Sequence, residues 1–500
     1  MKKITKRIIT SYFIYFIFHV CLYAQGEANI WYFGENAGIN FNDEKVKITK
    51  DGKLNTIEGC ASICDENGSL LFYTNGIDVW NKEHTIMDNG EGLLGNKSST
   101  QSAIIVQKPK QKNLYYIFTV DLYDSKKGLN YCIVDINLDN KKGSIIEKNI
   151  PLVAPTAEKV TAIRHKENNK VWIITHKWGG NEFYAYLLTE KGLDANPIIS
   201  AVGEEQSGDS DNSIGYMKAS SDGKKLAVAI KGKAIFELLD FDNITGKLSN
   251  PITIQMNEGD LTYGVEFSSD CSKLYGTVGN TNSLYQFDLK AKNITESKVL
   301  IGKTKGWAGA LQIAPNGKIY LSDYGNDHLN CIYYPNKAGL DCEFVKNDIF
   351  LEGKKAQLGL PTFVQTYFDD IENLQKITTS SGKKIKIGEA FVKTILFDFN
   401  QFVIKPEYYA TLNELVDYLK SSTNIKIDIS GHTDSDGTEQ ENIYLSQNRS
   451  KSVASYIIGK GIDKSRVFYK GFGKNKPVLP NTTPENKAKN RRIEFLLIKS

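Results

Sequence analysis

Residues 431–437 read Gly-His-Thr-Asp-Ser-Asp-Gly and place two carboxylates, Asp434 and Asp436, beside a glycine. That spacing opens a calcium-binding loop, but such a loop needs glycine at its sixth position, which here is Glu439, so calcium is excluded. Arg449 follows Asp434 by fifteen residues. Taken alone, such a pair is usually a surface salt bridge worth ~0–1 kcal/mol. Asn442 reads equally well as a helix cap, and Asn490-Arg491-Arg492 as a solvated turn. Elsewhere the reactive side chains are scattered. There is no Gly-x-Ser-x-Gly, His-Glu-x-x-His or Walker loop. His84, His165, His176, His328 and His432 form no ligand-spaced cluster with the cysteines, so neither a metal nor another cofactor is expected. Cys331 and Cys342 could bridge a hairpin through Pro335-Asn336, while Cys60 and Cys64 share one strand face; both pairings are open, as are those of Cys132 and Cys271. Trp80, Trp178 and Trp307 either line a glycan-stacking funnel or pack between strands, the second being the commoner use of tryptophan.

The elements that position these residues fall into two classes. From 25 to about 368, short strand-like runs alternate with Gly/Asn/Asp turns and no long helical period interrupts them. Three segments are self-similar: Gly215 to Leu226, Gly264 to Leu274 and Gly309 to Ile319. Their turn residues Asp222, Asp270 and Asn316 are 48 and 46 apart, and a second marker, Asp240 and Asp288, repeats at 48. Weaker hairpins occur at Asn67-Gly68, Lys112-Asn113 and Asn168-Asn169. A four-stranded sheet per repeat cannot bury both faces alone, so the copies must stack, and a ring of them is a β-propeller. Six hairpins are visible. A seventh blade is expected from Ile30–Phe33 pairing near Thr362 to Thr366, with six or eight blades also compatible. A transmembrane β-barrel would need strands of about ten residues with a lipid-facing alternation; these runs are shorter and lysine-rich.

After a connector at 369–384, strands alternate with amphipathic helices over 385–500. Strands are expected at 395–399, 425–429, 466–470 and 492–496. A helix starts at Pro406 with Tyr409, Leu412, Leu415, Val416 and Leu419 on one face, and a longer one carries Leu445, Val453 and Ile457 inward. Residues 1–24 hold Lys2, Lys3, Lys6 and Arg7, an apolar run and Ala24: a secretory signal, with a retained membrane anchor as the competing reading. Val20 before Cys21 is not the small residue a lipidation site needs.

Two resemblances follow. The repeats resemble β-propeller modules of exported proteins from gliding and type IX-secreting Bacteroidetes, through Asn29–Gly38, Leu70–Gly76 and Asn113–Asp121. The C-terminal region resembles the OmpA-like peptidoglycan-binding domain, through Gly431-His-Thr-Asp434, Gly437, Asn442, Leu445-Ser446, Arg449, Gly471-Phe-Gly473, Pro477 and Asn490-Arg-Arg-Ile-Glu494. Ser450 stands where alanine usually follows the arginine. This second resemblance implies noncovalent capture of the diaminopimelate residue of the peptidoglycan stem peptide. Asp434 would accept from the ligand ammonium and Arg449 would hold its carboxylate. Thr433, Asn442, Arg492 and Asn400 would complete the pocket.

The expectation is therefore a two-domain, exported, non-enzymatic periplasmic protein: an all-β propeller of about seven four-stranded blades, then an α/β OmpA-like sandwich. The second domain would hold peptidoglycan, and the propeller would present a surface to an outer-membrane or secretion-system partner. The alternative is a wall-anchored propeller enzyme acting on glycans, which requires a carboxylate-lined funnel with a strongly perturbed pKa. Charge agrees with a split architecture. The chain has 62 Lys+Arg and 58 Asp+Glu, and the leader's four cations account for the excess. Residues 385–500 carry +5 and 25–384 carry −5. A nucleic-acid partner is disfavoured by that near-neutral balance.

Overall fold

A computed structural model describes residues 26–368 except 44, 123–125 and 168, and residues 390–499 except 394–396, 398–400 and 422–424. The expected leader, the connector, Asn400 and all of the strand expected at 395–399 but Phe397 lie outside the described residues. The chain divides into two compact units, one within 24–385 and one within 386–500.

The first unit contains, among the described residues, seven small antiparallel sheets, two of three strands, four of four and one of five, where four strands each were expected; strands pair in chain order except that Ile198–Gln206 pairs with Gly180–Thr189. Their first strands are Ile30–Phe33, Ala61–Cys64, Ala103–Gln107, Thr156–Arg164, Met217–Ala219, Thr262–Phe267 and Ala308–Ile313. Nearly every residue in these strands is buried, whereas the final strand Lys247–Gln255 is largely exposed and Phe344–Phe350 is half-buried or exposed throughout. A strand buried on both faces must have neighbours on both faces, so each sheet turns its first strand towards the others. Hydrogen bonds connect successive sheets: Gln101 N donates to Glu158 O at 3.1 Å, Tyr216 N to Tyr263 O at 2.8 Å, and Thr277 Oγ1 to Gly309 O at 2.8 Å. The tail of the unit then returns to the second sheet, where Thr362 N donates to Cys60 O at 2.9 Å. First and seventh sheets pack directly, with Trp31 edge-on to Tyr320 at 5.9 Å.

The strand Ile30–Phe33 departs from expectation. It pairs with Ala37–Asn40 in its own sheet, because Gly34 (φ +56°) turns the chain back at once, and 361–362 bond to Cys60 instead. The repeat markers have a concrete cause. Asp240 and Asp288 sit directly across from Lys225 and Lys273, paired at 2.8 and 3.0 Å. In the equivalent turns Gly223 has φ +67°, while Cys271 adopts +56° despite its side chain, a conformation glycine takes at no steric cost. All six described cysteines are free thiols. Cys331 lies opposite Val345, not Cys342, in its strand pair.

Lys218 is a buried, multiply bonded cation of this unit. Its ammonium, 1% exposed, donates to Glu266 Oε2 at 2.9 Å, to Leu311 O at 2.7 Å and to Gln312 Oε1. Glu266 in turn accepts from Ile313 N at 3.0 Å and Phe267 N at 3.0 Å. One buried ion pair thus joins the fifth, sixth and seventh sheets.

The second unit is a four-stranded sheet with helices. Its elements are β1 (Ala390–Lys393), α1 (Tyr409–Ser421), β2 (Ile425–Gly431), α2 (Glu439–Gly459), β3 (Val467–Gly471), α3 (Pro484–Asn490) and β4 (Ile493–Lys499). The order is β1-β4-β2-β3, with β2 and β3 parallel and the other pairs antiparallel. Leu412, Leu415, Val416 and Leu419 of α1 and Val453 and Ile457 of α2 are buried in its core; Leu445 is half-buried, and Tyr409 instead stacks on Tyr456 at 5.0 Å.

Breaking one partner of a buried pair leaves the other charge uncompensated. Lys218→Met is therefore expected to lower the unfolding free energy by about 3–5 kcal/mol, against less than about 1 kcal/mol for Lys225→Ala at the half-exposed pair. Chemical denaturation of both variants checks this; equal losses would show that burial does not govern the Lys218 contact.

Candidate functional site

The loop between β2 and α2 carries Asp434, and its shape follows from local chemistry. His432 N donates to Arg492 O and Thr433 N to Gly473 O, both at 3.0 Å, fixing the loop to β4 and to the turn after β3. Asp436 N donates to Asp434 Oδ1 at 3.1 Å, and Gly437 (φ +85°) supplies the left-handed turn. Thr438 then caps α2 in a reciprocal box: Glu441 N donates to Thr438 Oγ1 at 3.3 Å and Thr438 N to Glu441 Oε2 at 2.8 Å. Asn442 donates its amide to Asp436 O at 2.7 Å and Thr438 O at 3.0 Å, so this side chain shapes the loop.

Helix α2 must lie very close to the ends of β2 and β3. A Cβ on Gly431 would sit 2.3 Å from Ser446 O, and one on Gly471 would sit 2.3 Å from Gln447 N. That approach sets Arg449, one turn further along α2, within electrostatic range of Asp434. Arg449 is 4% exposed and Asp434 7%. The arginine's Nε donates to Gln401 O at 3.1 Å and its guanidinium lies 5.1 Å from the Phe397 ring. Among the described residues its two Nη groups have no hydrogen-bond partner, and no ion pair joins it to Asp434. Burial, and then the nearby Arg491, lower its pKa to about 10 while Asp434 raises it, so it stays cationic at neutral pH.

Arg491, read from the sequence only as part of a solvated turn and of the motif stretch Asn490–Glu494, is the residue that engages Asp434: Nη1 lies 2.6 Å from Oδ2. Arg492 faces the other way. Its Nε donates to Glu494 at 2.8 Å, Nη1 to Asn490 O at 3.3 Å and Nη2 to Lys476 O at 3.1 Å, which occupies the side chain structurally. The sequence signal for Arg491 was its place in the motif stretch Asn490–Glu494, which did not assign it a ligand role. Thr433 is buried, with no hydrogen-bond partner for Oγ1 among the described residues. His432 stacks flat on Phe472 at 5.4 Å; burial and Arg492 push its pKa down and hold it neutral. A buried carboxylate and a buried guanidinium with two open donor groups can together hold a small zwitterion.

The first unit has a second polar cluster where its first strands begin. Glu158 Oε2 accepts from Thr100 N at 3.0 Å and Oγ1 at 3.2 Å. Glu58, beside Glu158 and Tyr263, has an Oε2 without a partner among the described residues. Burial and then the Glu158 charge push the Glu58 carboxyl up to about 8, with Lys231 opposing. Trp307 is half-buried with Lys231 Nζ 5.8 Å from its ring, and Trp80 is buried against Tyr73.

The OmpA family matches residues 396–491. The chain is 34% identical over 167 residues to the peptidoglycan-associated lipoprotein of Buchnera aphidicola, covering 32% of this chain and 88% of that protein. It is 38% identical over 104 residues to outer membrane protein A of Bordetella avium, covering 21% and 54%. Peptidoglycan-binding protein ArfA of Mycobacterium tuberculosis is 39% identical over 92 residues, covering 18% and 28%. The chain thus spans most of the first relative and about half or less of the other two. Among solved structures, the peptidoglycan-associated lipoprotein from Burkholderia pseudomallei shares 31% identity over 21% of this chain and 87% of its own, with a TM-score of 0.20.

The raised Glu58 pKa has a defined sign. The folded protein keeps a proton that the unfolded chain releases near 4.5, so this stabilisation is complete below about pH 4.5 and is lost as pH rises through about 8. The melting temperature of the wild type should fall more steeply between about pH 5 and 9 than that of Glu58→Gln; parallel profiles would remove Glu58 from the pH dependence.

Proposed function

The chain belongs to the OmpA family through residues 396–491, and from that premise we propose that it is a non-enzymatic cell-envelope protein that holds peptidoglycan without a covalent bond. The ligand group is the zwitterionic end of diaminopimelate in the stem peptide. Its ammonium binds Asp434, and its carboxylate meets the two Nη groups of Arg449. The observation that carries this reading is the buried Arg449 guanidinium, anchored among the described residues through Nε alone, within range of a buried carboxylate. Thr433 Oγ1 lies buried in the same loop and supplies a further hydrogen-bonding group. Asn442 and Arg492 act one step back, shaping the loop and its floor. Asn400 belongs to the same proposal by resemblance.

The seven sheets are read as the blades of a β-propeller. Support comes from their chain order, the buried first strands and the packing of Trp31 on Tyr320 between the first and seventh sheets. The propeller serves as a rigid platform for an outer-membrane or secretion-system partner, in a protein exported by residues 1–24 to the periplasm. The Bacteroidetes gliding and type IX lineage remains part of this proposal. A second reading, a wall-anchored propeller enzyme acting on glycans, draws on the raised carboxyls of Glu58 and Glu158. It requires that the wild type release reducing ends from wall glycan and that Glu58→Gln not do so.

Sedimentation with purified cell wall tests the main reading. Asp434→Ala and Arg449→Ala should each lose roughly tenfold or more in wall binding, since each removes charge-assisted hydrogen bonds. Sedimentation of the double variant equal to wild type would exclude this pocket.

A further inference from the structure

We propose that Arg491 is a displaceable counter-ion that makes the site selective for zwitterions over simple ammonium ligands. The inference rests on Asp434 and Arg449 being the ligand-binding pair. In the free protein Asp434 Oδ2, which an incoming ammonium needs, already accepts from Arg491 Nη1 at 2.6 Å. Its other carboxylate oxygen receives Asp436 N. A ligand ammonium must therefore move Arg491 or share with it.

The two neighbouring arginines differ in their freedom to move. Arg492, 3% exposed, is tied down through Nε, Nη1 and Nη2. The Arg491 side chain is 38% exposed, and its guanidinium makes no other hydrogen bond among the described residues. Exposure makes its release inexpensive, because water resolvates the guanidinium as it leaves. Arg491 also lies close enough to Arg449 to lower the latter's pKa, so two guanidinium groups flank one carboxylate. That trio has a net charge of +1.

A ligand that brings both an ammonium and a carboxylate completes the arrangement. Its ammonium replaces Arg491 at Asp434, and its carboxylate receives the released Arg491 together with the open Nη groups of Arg449. Planar guanidinium groups suit that transfer, since each presents paired donors to a carboxylate. A ligand with an ammonium alone breaks the Asp434–Arg491 pair and offers nothing in return. It also leaves two cations facing each other with one anion shared among three positive groups. Arg491 thus penalises the wrong ligand more than it strengthens the right one, a form of specificity built from a competing interaction.

Two soluble probes separate the cases: the tripeptide L-Ala-γ-D-Glu-meso-diaminopimelate and the same tripeptide with lysine in third place. They differ by one carboxylate at the far end of that residue. Titration calorimetry of the full-length protein should show wild type preferring the diaminopimelate probe. In Arg491→Gln the lysine probe should bind more tightly than to wild type, and the preference should shrink by roughly tenfold, the worth of one charge-assisted hydrogen bond. Arg491→Lys, which keeps a displaceable cation without the planar fork, should fall between the two. An unchanged preference ratio in Arg491→Gln, with Asp434→Ala still abolishing binding of the diaminopimelate probe, overturns the role of Arg491 alone. If Asp434→Ala binds that probe as wild type does, the underlying pocket is wrong. Far-ultraviolet circular dichroism of each variant confirms that the comparison is between folded proteins.

Discussion

The geometry around Asp434 and Arg449 depends on how closely α2 approaches the ends of β2 and β3. At Gly431 and Gly471 there is no room for even a methyl group, because Ser446 O and Gln447 N occupy the space. Close packing of this kind fixes a helix in azimuth and along its axis, as surely as a large side chain would. Arg449 is carried on the same helix, three residues beyond Ser446, and so inherits that position. The loop preceding α2 is held at its start by backbone bonds to β4 and to Gly473, and at its end by the Thr438 cap. Asp434 is thereby held from both sides. The placement of this charged pair is a consequence of backbone proximity.

The first unit solves a different problem. Strands buried on both faces at its centre leave some polar groups without water, and the chain satisfies them unevenly. Lys218 and Glu266 are surrounded by donors and acceptors from three sheets, which turns a costly burial into a cross-link. Glu58 and Glu158 are raised chiefly by burial, which the nearby Lys231 only partly opposes. One cluster has the character of a structural fastening. The other retains unspent hydrogen-bonding capacity near the start of the first strands. The opposite net charges of the two regions, −5 and +5, suit a division of labour in which the basic one meets an anionic wall. In the proposed function specificity comes from the buried pair, since long-range attraction is screened by salt.

Much of this was legible in one dimension. The Asp240 and Asp288 markers repeat because each faces a lysine across a strand pair, and cross-strand partners leave a periodic trace. Hairpin turns announced themselves through Asn-Gly and Asp-Gly, and the α1 core face through its apolar spacing. Three features left no such trace. Ile30–Phe33 turned back on its own hairpin because one glycine decided the direction. Cys331 and Cys342, eleven residues apart, were kept from each other by strand register. Arg491 and Arg492 are chemically identical neighbours, and only the path of the chain into β4 assigns one to Asp434 and the other to Glu494.

Residue types and their spacing are enough to specify a repeating all-β region, an α/β region bearing the OmpA family's motif, and a carboxylate and a guanidinium fifteen residues apart. Those are properties of local chemistry and periodicity, which a linear string records. Which arginine holds Asp434, which one keeps open donors, and which thiols stay apart were decided only in three dimensions. Each depends on the direction a side chain leaves the backbone and on what a distant segment has already occupied, and neither is a function of neighbouring letters.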